Sequence, residues 1–395
     1  MISFDEAVER IRSIAKPLGS EKVPLGDAAG RVLAAPVVAR IDSPRTDVSA
    51  MDGYAVREED LTSLPARLSM AGESFAGAGW HGTVACGMCA RIFTGAPVPA
   101  GANRVIMQEN VRREGDCAIV DEHPGPARHI RQRGSDFCVG DELLPAGRLL
   151  DPRAIVAAAA ADVDGVEVFR RPRLHILSTG DELAEPGAAR ERADAIPESV
   201  SFGVAALAQQ WGAECLETTR LRDDLPAMER AAKAALDGAD VVVVTGGASV
   251  GEKDLAKAMF DPLGLELVFP KVSIKPGKPV WLGRVGDKLV MGLPGNPTSA
   301  LVTGRLFVAP LLAGLTGQPI DRALRWRTEV LVSELKACGP RETFHRARAV
   351  RGAAEILSFQ DSSAQKALAD ADLLVRQRAN ARAMPIGAPV EVLDF

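Results

Sequence analysis

The sequence predicts a multidomain α/β plus β protein, in which a central parallel α/β domain lies between two β-rich parts. The chain has 395 residues, which is too long for one ordinary hydrophobic core. Between residues 173 and 317, apolar runs alternate with helical patterns of ~12 residues, as in βαβ units. On both sides of that segment, short apolar runs are interrupted by Gly and Pro, which favours β structure. We therefore divide the chain into domains at 1–170, 171–317 and 318–395.

The composition is that of a globular protein, with 47% hydrophobic and 25% charged residues. Because the net charge is −5, no basic excess is available to neutralise phosphates, and we expect no nucleic-acid partner. The six cysteines include the pair Cys86 and Cys89, but no second pair follows at zinc-site spacing. This cysteine usage is typical of reduced thiols in a cytoplasmic protein.

The N-terminal segment predicts an amphipathic helix. Ser3 and Glu6 have the spacing of a capping box, and apolar residues recur at helical spacing until Pro17 and Gly19. The acidic residues of this segment argue against a signal peptide. Since no uncharged apolar run is long enough to span a bilayer, we expect a cytoplasmic protein without a membrane partner.

The remainder of the first domain is predicted to be β-rich until a helix at Asp151–Ala161, where Asp151 is the N-cap and Pro152 the first helical residue. In the central domain, strands are predicted at 174–178, 214–221, 240–245, 265–272, 279–283 and 288–293, with helices at 199–211, at 224–236 and from 296 onward. The last domain shows short alternating runs and one possible helix at 364–371. It is predicted to be a small β domain.

Three glycine-containing turns follow strands of the central domain, at 178–182, 245–252 and 293–299. Because the carboxyl ends of parallel strands lie at one edge of a sheet, we expect these turns to share that edge. Each is small enough for backbone N–H groups to approach an anion, and each precedes a helix or turn. One such turn alone is commonly a tight strand exit. Three at one edge predict the binding of a phosphorylated ligand.

Acidic and basic side chains are predicted at the same edge. Carboxylates beside phosphates are the usual protein ligands of Mg²⁺, and Glu182, Asp223 and Asp254 follow strand ends. A capping or solvated role is an alternative for each acid. The segment 271–279 carries three lysines beside two prolines, which suits a small oxyanion or a developing negative charge. A solvated basic loop is the alternative there.

Two polar turns lie in the β-rich first domain. The segment 47–55 contains two acids, a serine and the only tyrosine, and the segment 93–101 offers the hydroxyl of Thr94. From composition alone, both segments are predicted to be surface turns.

Taken in order, seven segments carry a family resemblance: DVSAMDGYAV, FTGAPVPAGA, RGSDFCVGDELLPAG, LSTGDEL, TGGASVGEKD, IKPGKP and GLPGNPTSA. The chain resembles the molybdopterin molybdenumtransferase family of the bacterial MoeA type, which is related to the C-terminal domain of gephyrin. The resemblance spans nearly the whole chain. It implies an elongated β-rich first region with helical dimerisation elements, a molybdopterin-binding α/β domain and a C-terminal domain that resembles a β-barrel.

The resemblance also implies an activity and an assembly. Members of the family insert molybdate into adenylylated molybdopterin in a Mg²⁺-dependent step that releases AMP. They are homodimers whose active site lies between the α/β domain of one subunit and the β-rich region of the other. Expected protein partners are the molybdopterin adenylyltransferase and molybdoenzyme maturation proteins.

The resemblance also implies roles for the residues of this chain that match the family's motifs. The catalytic assignments are Asp52, Thr94, Asp136, Lys271, Lys275 and Lys278. The metal assignments are Glu182 and Asp254. The ligand-binding assignments are Ser178, Thr179, Gly180, Asp223, Gly246, Gly247, Ser249, Gly251, Pro294, Gly295, Asn296 and Pro297. Catalysis would rest on positioning and charge stabilisation, as is general for phosphoryl transfer.

One segment departs from the family pattern. Members usually carry an Asp-Ser-Asn-like segment before the next helix, whereas this chain has Glu198, Ser199 and Val200 there. Two other functions stay open, a molybdopterin adenylyltransferase and a non-catalytic gephyrin-like scaffold. The three-domain length disfavours the first, and the retained acids and lysines disfavour the second. Molybdate and tungstate are tetrahedral dianions of nearly equal size, so the sequence does not distinguish them.

Overall fold

The computed structural model describes residues 1–247 and 255–395. Its α-helices are Phe4–Ile14, Pro152–Ala160, Val200–Gln210, Leu225–Gly238, Leu255–Ala258, Pro297–Thr303, Ala309–Leu315, Ile320–Ala323 and Gln365–Ala369. A π-helical segment, Gly304–Val308, joins Pro297–Thr303 to Ala309–Leu315. The architecture confirms the multidomain α/β plus β class predicted from the sequence.

The central domain is built on one sheet with strands in the order Glu214–Leu221, Arg173–Thr179, Val241–Thr245, Lys288–Leu293, Trp281–Val285 and Glu266–Phe269. The first four are parallel to one another. Trp281–Val285 runs antiparallel to both of its neighbours, so the sheet is mixed rather than wholly parallel as predicted. The reason is the connection from Val285 to Lys288: two residues make a hairpin, whereas a parallel pair needs a crossover of a dozen residues or more.

Burial explains the form of the central strands. Val241–Thr245 is buried along its entire length, which is why it has no polar alternation. Helix Leu225–Gly238 covers one face of the sheet, where Met228 packs with Val242 and Val244. Helix Val200–Gln210 and the long segment Pro297–Leu315 cover the other face.

The Pro297–Leu315 helix is long and apolar enough to cross a membrane by length and composition. Within the fold, however, 94% of its apolar window is buried. It contains the buried Arg305, whose guanidinium donates to the backbone oxygens of Asp394 (2.8 Å) and Ala323 (2.6 Å). The segment is therefore the core helix that joins the α/β sheet to the C-terminal domain.

The first helix, Phe4–Ile14, has the predicted cap, since the Glu6 backbone N–H donates to Ser3 Oγ at 3.1 Å. Its buried face packs away from the β-rich region and against the central domain. Phe4 contacts Phe307 of the core helix and Phe344 of the C-terminal domain, with ring centroids 5.7 and 5.0 Å apart. This helix therefore joins the central and C-terminal domains.

The β-rich region contains one larger sheet and several small ones. The larger sheet has the strand order Arg104–Met107, Gly53–Val56, Met88–Ile92, Ala66–Ser74, Cys117–Val120 and Arg112–Glu114. Two-stranded pairs are Ser20–Pro24 with Gly165–Phe169, Val37–Val38 with Glu142–Leu144, and Val48–Ser49 with Ile130–Arg131. Helix Pro152–Ala160 packs beside the first two pairs, and Asp151 caps it by accepting from the Ala154 N–H at 2.9 Å.

The C-terminal domain is a closed five-stranded barrel, which confirms the predicted barrel-like form. Its strands run Glu342–Val350, Ala353–Ile356, Arg327–Leu331, Pro389–Asp394 and Leu373–Gln377, and the last pairs again with the first. A short strand of the central domain, Ile274–Lys275, pairs with the start of Glu342–Val350. The barrel is therefore attached to the segment that carries the lysines.

Candidate functional site

A cavity of about 840 Å³ lies at the carboxyl ends of the parallel strands. Of the residues predicted to bind ligand or metal, the following line it: Ser178, Thr179, Gly180, Glu182, Asp223, Gly246, Gly247, Pro294, Gly295, Asn296 and Pro297. The described residues of the three turns, which for the second turn are 245–247, therefore meet at one edge of the sheet, as strand direction requires. Ser249, Gly251 and Asp254 lie outside the described residues.

Glycine is required where the first two turns approach each other. Gly246 and Gly247 have φ angles of +90° and +64°, which side chains rarely adopt. A Cβ atom on Gly246 would lie 2.4 Å from the backbone oxygen of Thr179. Gly246 and Gly247 also line the cavity, so their backbone borders it without an intervening side chain.

A chain of buried polar groups forms the floor of the cavity. The Thr245 hydroxyl donates to Ser178 Oγ at 3.2 Å, and Ser178 Oγ donates to Glu198 Oε1 at 3.2 Å. Glu198 is 5% exposed and also accepts from the backbone N–H (2.9 Å) and the hydroxyl of Ser201. The carboxylate therefore caps the following helix and fixes the hydroxyl of Ser178. Val200 lines the same cavity and packs into the core, so this part of the cavity wall is apolar.

Carboxylates gather at one side of the cavity. The Asp223 backbone N–H donates to Asp181 Oδ1 at 3.4 Å. Burial raises the pKa of the Asp223 carboxyl, and the charges of Asp181 and Glu182 raise it further. Across residues 1–247 and 255–395, no group of three acids, histidines or cysteines converges closely enough to enclose a metal ion.

The lysine loop, residues 271–278, ends at Pro279 on the cavity wall. The Val272 N–H donates to the Lys278 backbone oxygen at 3.2 Å, which closes the loop on itself. Lys271, Lys275 and Lys278 are exposed and do not line the cavity. They lie on the loop beside it, with free ammonium groups directed to solvent.

The predicted residues of the β-rich region are exposed and do not line the cavity of their own chain. Asp52 accepts from Thr94 twice, from the backbone N–H at 2.7 Å and from the hydroxyl at 2.8 Å. These two hydrogen bonds, the backbone one first, lower the pKa of Asp52. Asp136 is exposed, and its backbone N–H donates to the Ser43 oxygen at 2.9 Å.

Sequence reasoning missed the contribution of the C-terminal barrel. Ser363 and Gln365 line the cavity, because the segment around them docks on the third turn. Asn296 Nδ2 donates to Ser362 Oγ at 3.1 Å, and the Thr298 N–H donates to the Ser362 oxygen at 3.2 Å. No local sequence pattern predicts this contact, because it joins residues that are far apart in the chain.

Comparisons with known proteins agree with this architecture. Residues 2–161 match the family described as "MoeA N-terminal region (domain I and II)", and residues 175–314 match the "Probable molybdopterin binding domain". A molybdopterin molybdenumtransferase from Haemophilus influenzae is 38% identical over 320 residues, which cover 80% of this chain and 78% of that protein. One from Nostoc sp. is 36% identical over 343 residues, which cover 82% of this chain and 76% of that protein.

The fold comparison gives the same result over the full length. The crystal structure of a molybdopterin biosynthesis MoeA protein from Pyrococcus horikoshii OT3 matches with a TM-score of 0.86 and 27% identity, covering 100% of both chains. The sequence matches, the shared fold and the order of the domains lead to one conclusion: the chain belongs to the molybdopterin molybdenumtransferase (MoeA) family.

Proposed function

We propose that this protein inserts molybdenum from molybdate into adenylylated molybdopterin and releases AMP. The observation that carries the proposal is the cavity itself, which is lined by backbone, hydroxyl and carboxylate groups from three strand ends. Such an edge suits a ligand that carries phosphates. Membership of the family supplies the identity of that ligand.

In the proposed mechanism, the turns hold the phosphates of the ligand. The backbone of Gly246 and Gly247 borders the cavity, where its N–H groups would favour a negatively charged ligand. The hydroxyl of Ser178, held by Glu198, is a fixed hydrogen-bonding group at the floor. Hydrolysis of the phosphoanhydride, in which the oxygen of a water molecule bonds to phosphorus as the bridging P–O bond breaks, releases AMP and leaves the phosphate on the pterin; no covalent nucleophile of the protein is needed.

Mg²⁺ fits the donor set at the acidic side of the cavity. Glu182 and Asp223 offer hard oxygen ligands. Burial first, and then the charges of Asp181 and Glu182, raise the pKa of Asp223, and a bound divalent cation would offset both effects. We propose that Glu182 and Asp223, with Asp254, hold the ion. When bound, it would neutralise the charge of the phosphoanhydride.

We further propose a cytoplasmic homodimer in which Asp52, Thr94 and Asp136 of a second copy complete the site. These residues are exposed and lie outside the cavity of their own chain. A closed pair of identical subunits brings the same two surfaces together twice. Two equivalent composite sites would result.

The test is release of AMP after molybdate is added to the protein with adenylylated molybdopterin and Mg²⁺. We expect turnover to depend on molybdate and to fall by ~100-fold or more in Lys275→Ala, because a cation near the developing charge is lost. Lys288→Ala is the matched control, since Lys288 begins its strand at the opposite end of the sheet. Absence of AMP release at saturating substrate contradicts the proposal, and adenylylation of molybdopterin from ATP would assign the adenylyltransferase activity instead.

A further inference from the structure

The lysine loop is held between two segments that are distant in sequence. On one side, the Ile2 N–H donates to the Lys271 oxygen at 3.3 Å, and the Ser273 N–H donates to the Ile2 oxygen at 2.8 Å. On the other side, the Glu342 N–H donates to the Ser273 oxygen at 3.1 Å, and Ile274 pairs with Glu342. The loop is therefore the middle strand of a small three-part ladder.

Side chains along the lysine loop alternate between the two faces of this ladder, so the apolar residues point to the core and two of the lysines to the other face. Val272 and Ile274 are fully buried, whereas Lys271 and Lys275 on the other face are exposed. A shift of the loop by one residue would exchange these faces. The direction of the ammonium groups thus depends on the two flanking segments.

One buried side chain connects both flanking segments. The Arg376 guanidinium is 5% exposed and donates to Asp5 Oδ1 at 2.5 Å and, through Nε, to Glu342 Oε1. Asp5 lies three residues after Ile2, in the first turn of the N-terminal helix. The guanidinium also lies over the rings of Phe4 and Trp326, at 4.8 and 5.3 Å from their centroids.

The chemistry of this contact requires arginine. The planar guanidinium presents several donors in a fixed fork, so that one group can bind two carboxylates and stack on two rings. A lysine keeps the charge but presents one ammonium without the planar fork. The Arg376–Glu342 pair is buried, with side chains 5% and 10% exposed, so loss of either of these partners is more disruptive than at an exposed ion pair.

We propose that Arg376 is a positioning residue, which, through Asp5 and Glu342, fixes the lysine loop in the arrangement that accepts a tetrahedral oxyanion. The inference rests on the proposed function, because molybdate is the oxyanion that the loop would receive. Arg376 itself does not line the cavity.

Two variants separate positioning from folding. Arg376→Lys keeps the charge, and Asp5→Asn changes a carboxylate that is 65% exposed, so it leaves the buried Glu342 contact in place. Asp240→Asn is the matched control, because Asp240 forms a largely buried pair with Arg170 (2.7 Å) at the amino end of the strands. All three variants and the parent protein are measured at the same number of degrees below their respective melting temperatures.

The first measurement is hydrogen–deuterium exchange of the peptide covering 271–278. We expect about tenfold faster exchange in Arg376→Lys and a smaller increase in Asp5→Asn, since the loop's flanking hydrogen bonds would open more often. The second is the KM for molybdate, which we expect to rise about fivefold in Arg376→Lys, while the KM for adenylylated molybdopterin stays within about twofold. Asp240→Asn should change neither.

The two measurements keep the inference and the proposed function distinguishable. If the parent protein does not turn over molybdate, the proposed function fails, and exchange still decides whether Arg376 holds the loop. Unchanged exchange of 271–278 in both variants overturns the inference. So does an equal rise in both KM values, because that result describes a general loss of structure rather than positioning of the loop.

Discussion

The two regions that carry the predicted site residues are built in different ways. At the edge of the α/β sheet, Ser178, Thr245 and Glu198 are 1%, 2% and 5% exposed and bond to one another beneath a cavity. In the β-rich region, Asp52 and Thr94 form a tight but exposed turn. The first region is a preformed concave site, whereas the second is an exposed turn outside that cavity.

This difference suggests different roles for the two regions: the cavity binds the ligand, and the exposed turn completes the site. A cavity with a rigid polar floor can bind a ligand within one chain, because its hydrogen-bonding groups are already oriented. An exposed turn gains chemical significance only when another surface covers it and excludes water. We therefore expect substitutions in the cavity to affect folding and binding, and substitutions in the turn to affect turnover by the proposed dimer.

The largest expected effect is recovery of turnover when two inactive variants are mixed, and its absence would contradict this distinction between the two regions. Asp52→Asn removes the charge of the turn, and Lys275→Ala removes a cation beside the cavity. Each alone should lose ~100-fold or more of turnover. In a re-associated equal mixture, half of the dimers are mixed and each has one intact site, so activity should return to about a quarter of the parent value.

The control mixes two variants of the same region, Lys275→Ala with Lys278→Ala, and should recover nothing. Recovery in the first mixture alone assigns the turn and the lysine loop to one site across the subunits. Absence of recovery, with dimers verified by light scattering, would mean that Asp52 acts within its own chain.

The second effect concerns the polar floor of the cavity. Glu198→Ala leaves the N–H and hydroxyl of Ser201 and the hydroxyl of Ser178 without their acceptor in a buried site. The free energy of unfolding should fall by about 2–4 kcal/mol, as is typical when buried donors lose their partner. Glu198→Gln, which keeps the volume and one acceptor oxygen, should cost about half as much.

Chemical denaturation measures both values, and Glu185→Gln is the control. Glu185 pairs with Arg220 at 3.1 Å on the surface, with side chains 68% and 37% exposed, and its loss should cost less than about 1 kcal/mol. If Glu198→Ala proves as mild as this control, the floor is not the rigid element described above, and the contrast with the exposed turn disappears.

Much of the fold could be predicted because its causes are local. The uninterrupted apolar run of Val241–Thr245 and the helices that follow the strands identify a buried parallel sheet. The antiparallel direction of Trp281–Val285 could have been predicted too, because the predicted strands 279–283 and 288–293 leave four residues between them, too few for a parallel crossover. The packing of Phe4–Ile14 on the central domain depends on contacts with residues more than 250 positions away, for which the helix pattern carries no signal.

The same distinction holds for the site. The convergence of the turns at Ser178, Gly246 and Asn296 follows from strand direction, so the residues of the cavity edge could be placed before the structure was known. The lining by Ser363 and Gln365 could not, because it results from docking of the barrel on the third turn. The roles of these residues toward ligand stay predictions.

The smallest effect tests the exposed turn itself. Asp52 has a lowered pKa, so its contribution to stability is present above the usual value of 3.8 and is lost as the pH falls through the folded-state pKa. Thr94→Val removes the hydroxyl donor but keeps the backbone N–H donor. We expect the pKa of Asp52 to rise part of the way toward 3.8, and acid unfolding to begin at a slightly higher pH.

Titration of the Asp52 carboxyl by NMR measures this shift, and Thr94→Ser, which keeps the hydroxyl, should titrate as the parent protein does. The backbone hydrogen bond is the larger cause, so Asp52 should stay below its usual pKa even in Thr94→Val. An unchanged titration in Thr94→Val would show that the hydroxyl does not bind Asp52 in solution and is free for another partner. In that case the turn would be a looser surface than its two short hydrogen bonds indicate, and its contrast with the cavity floor would be greater still.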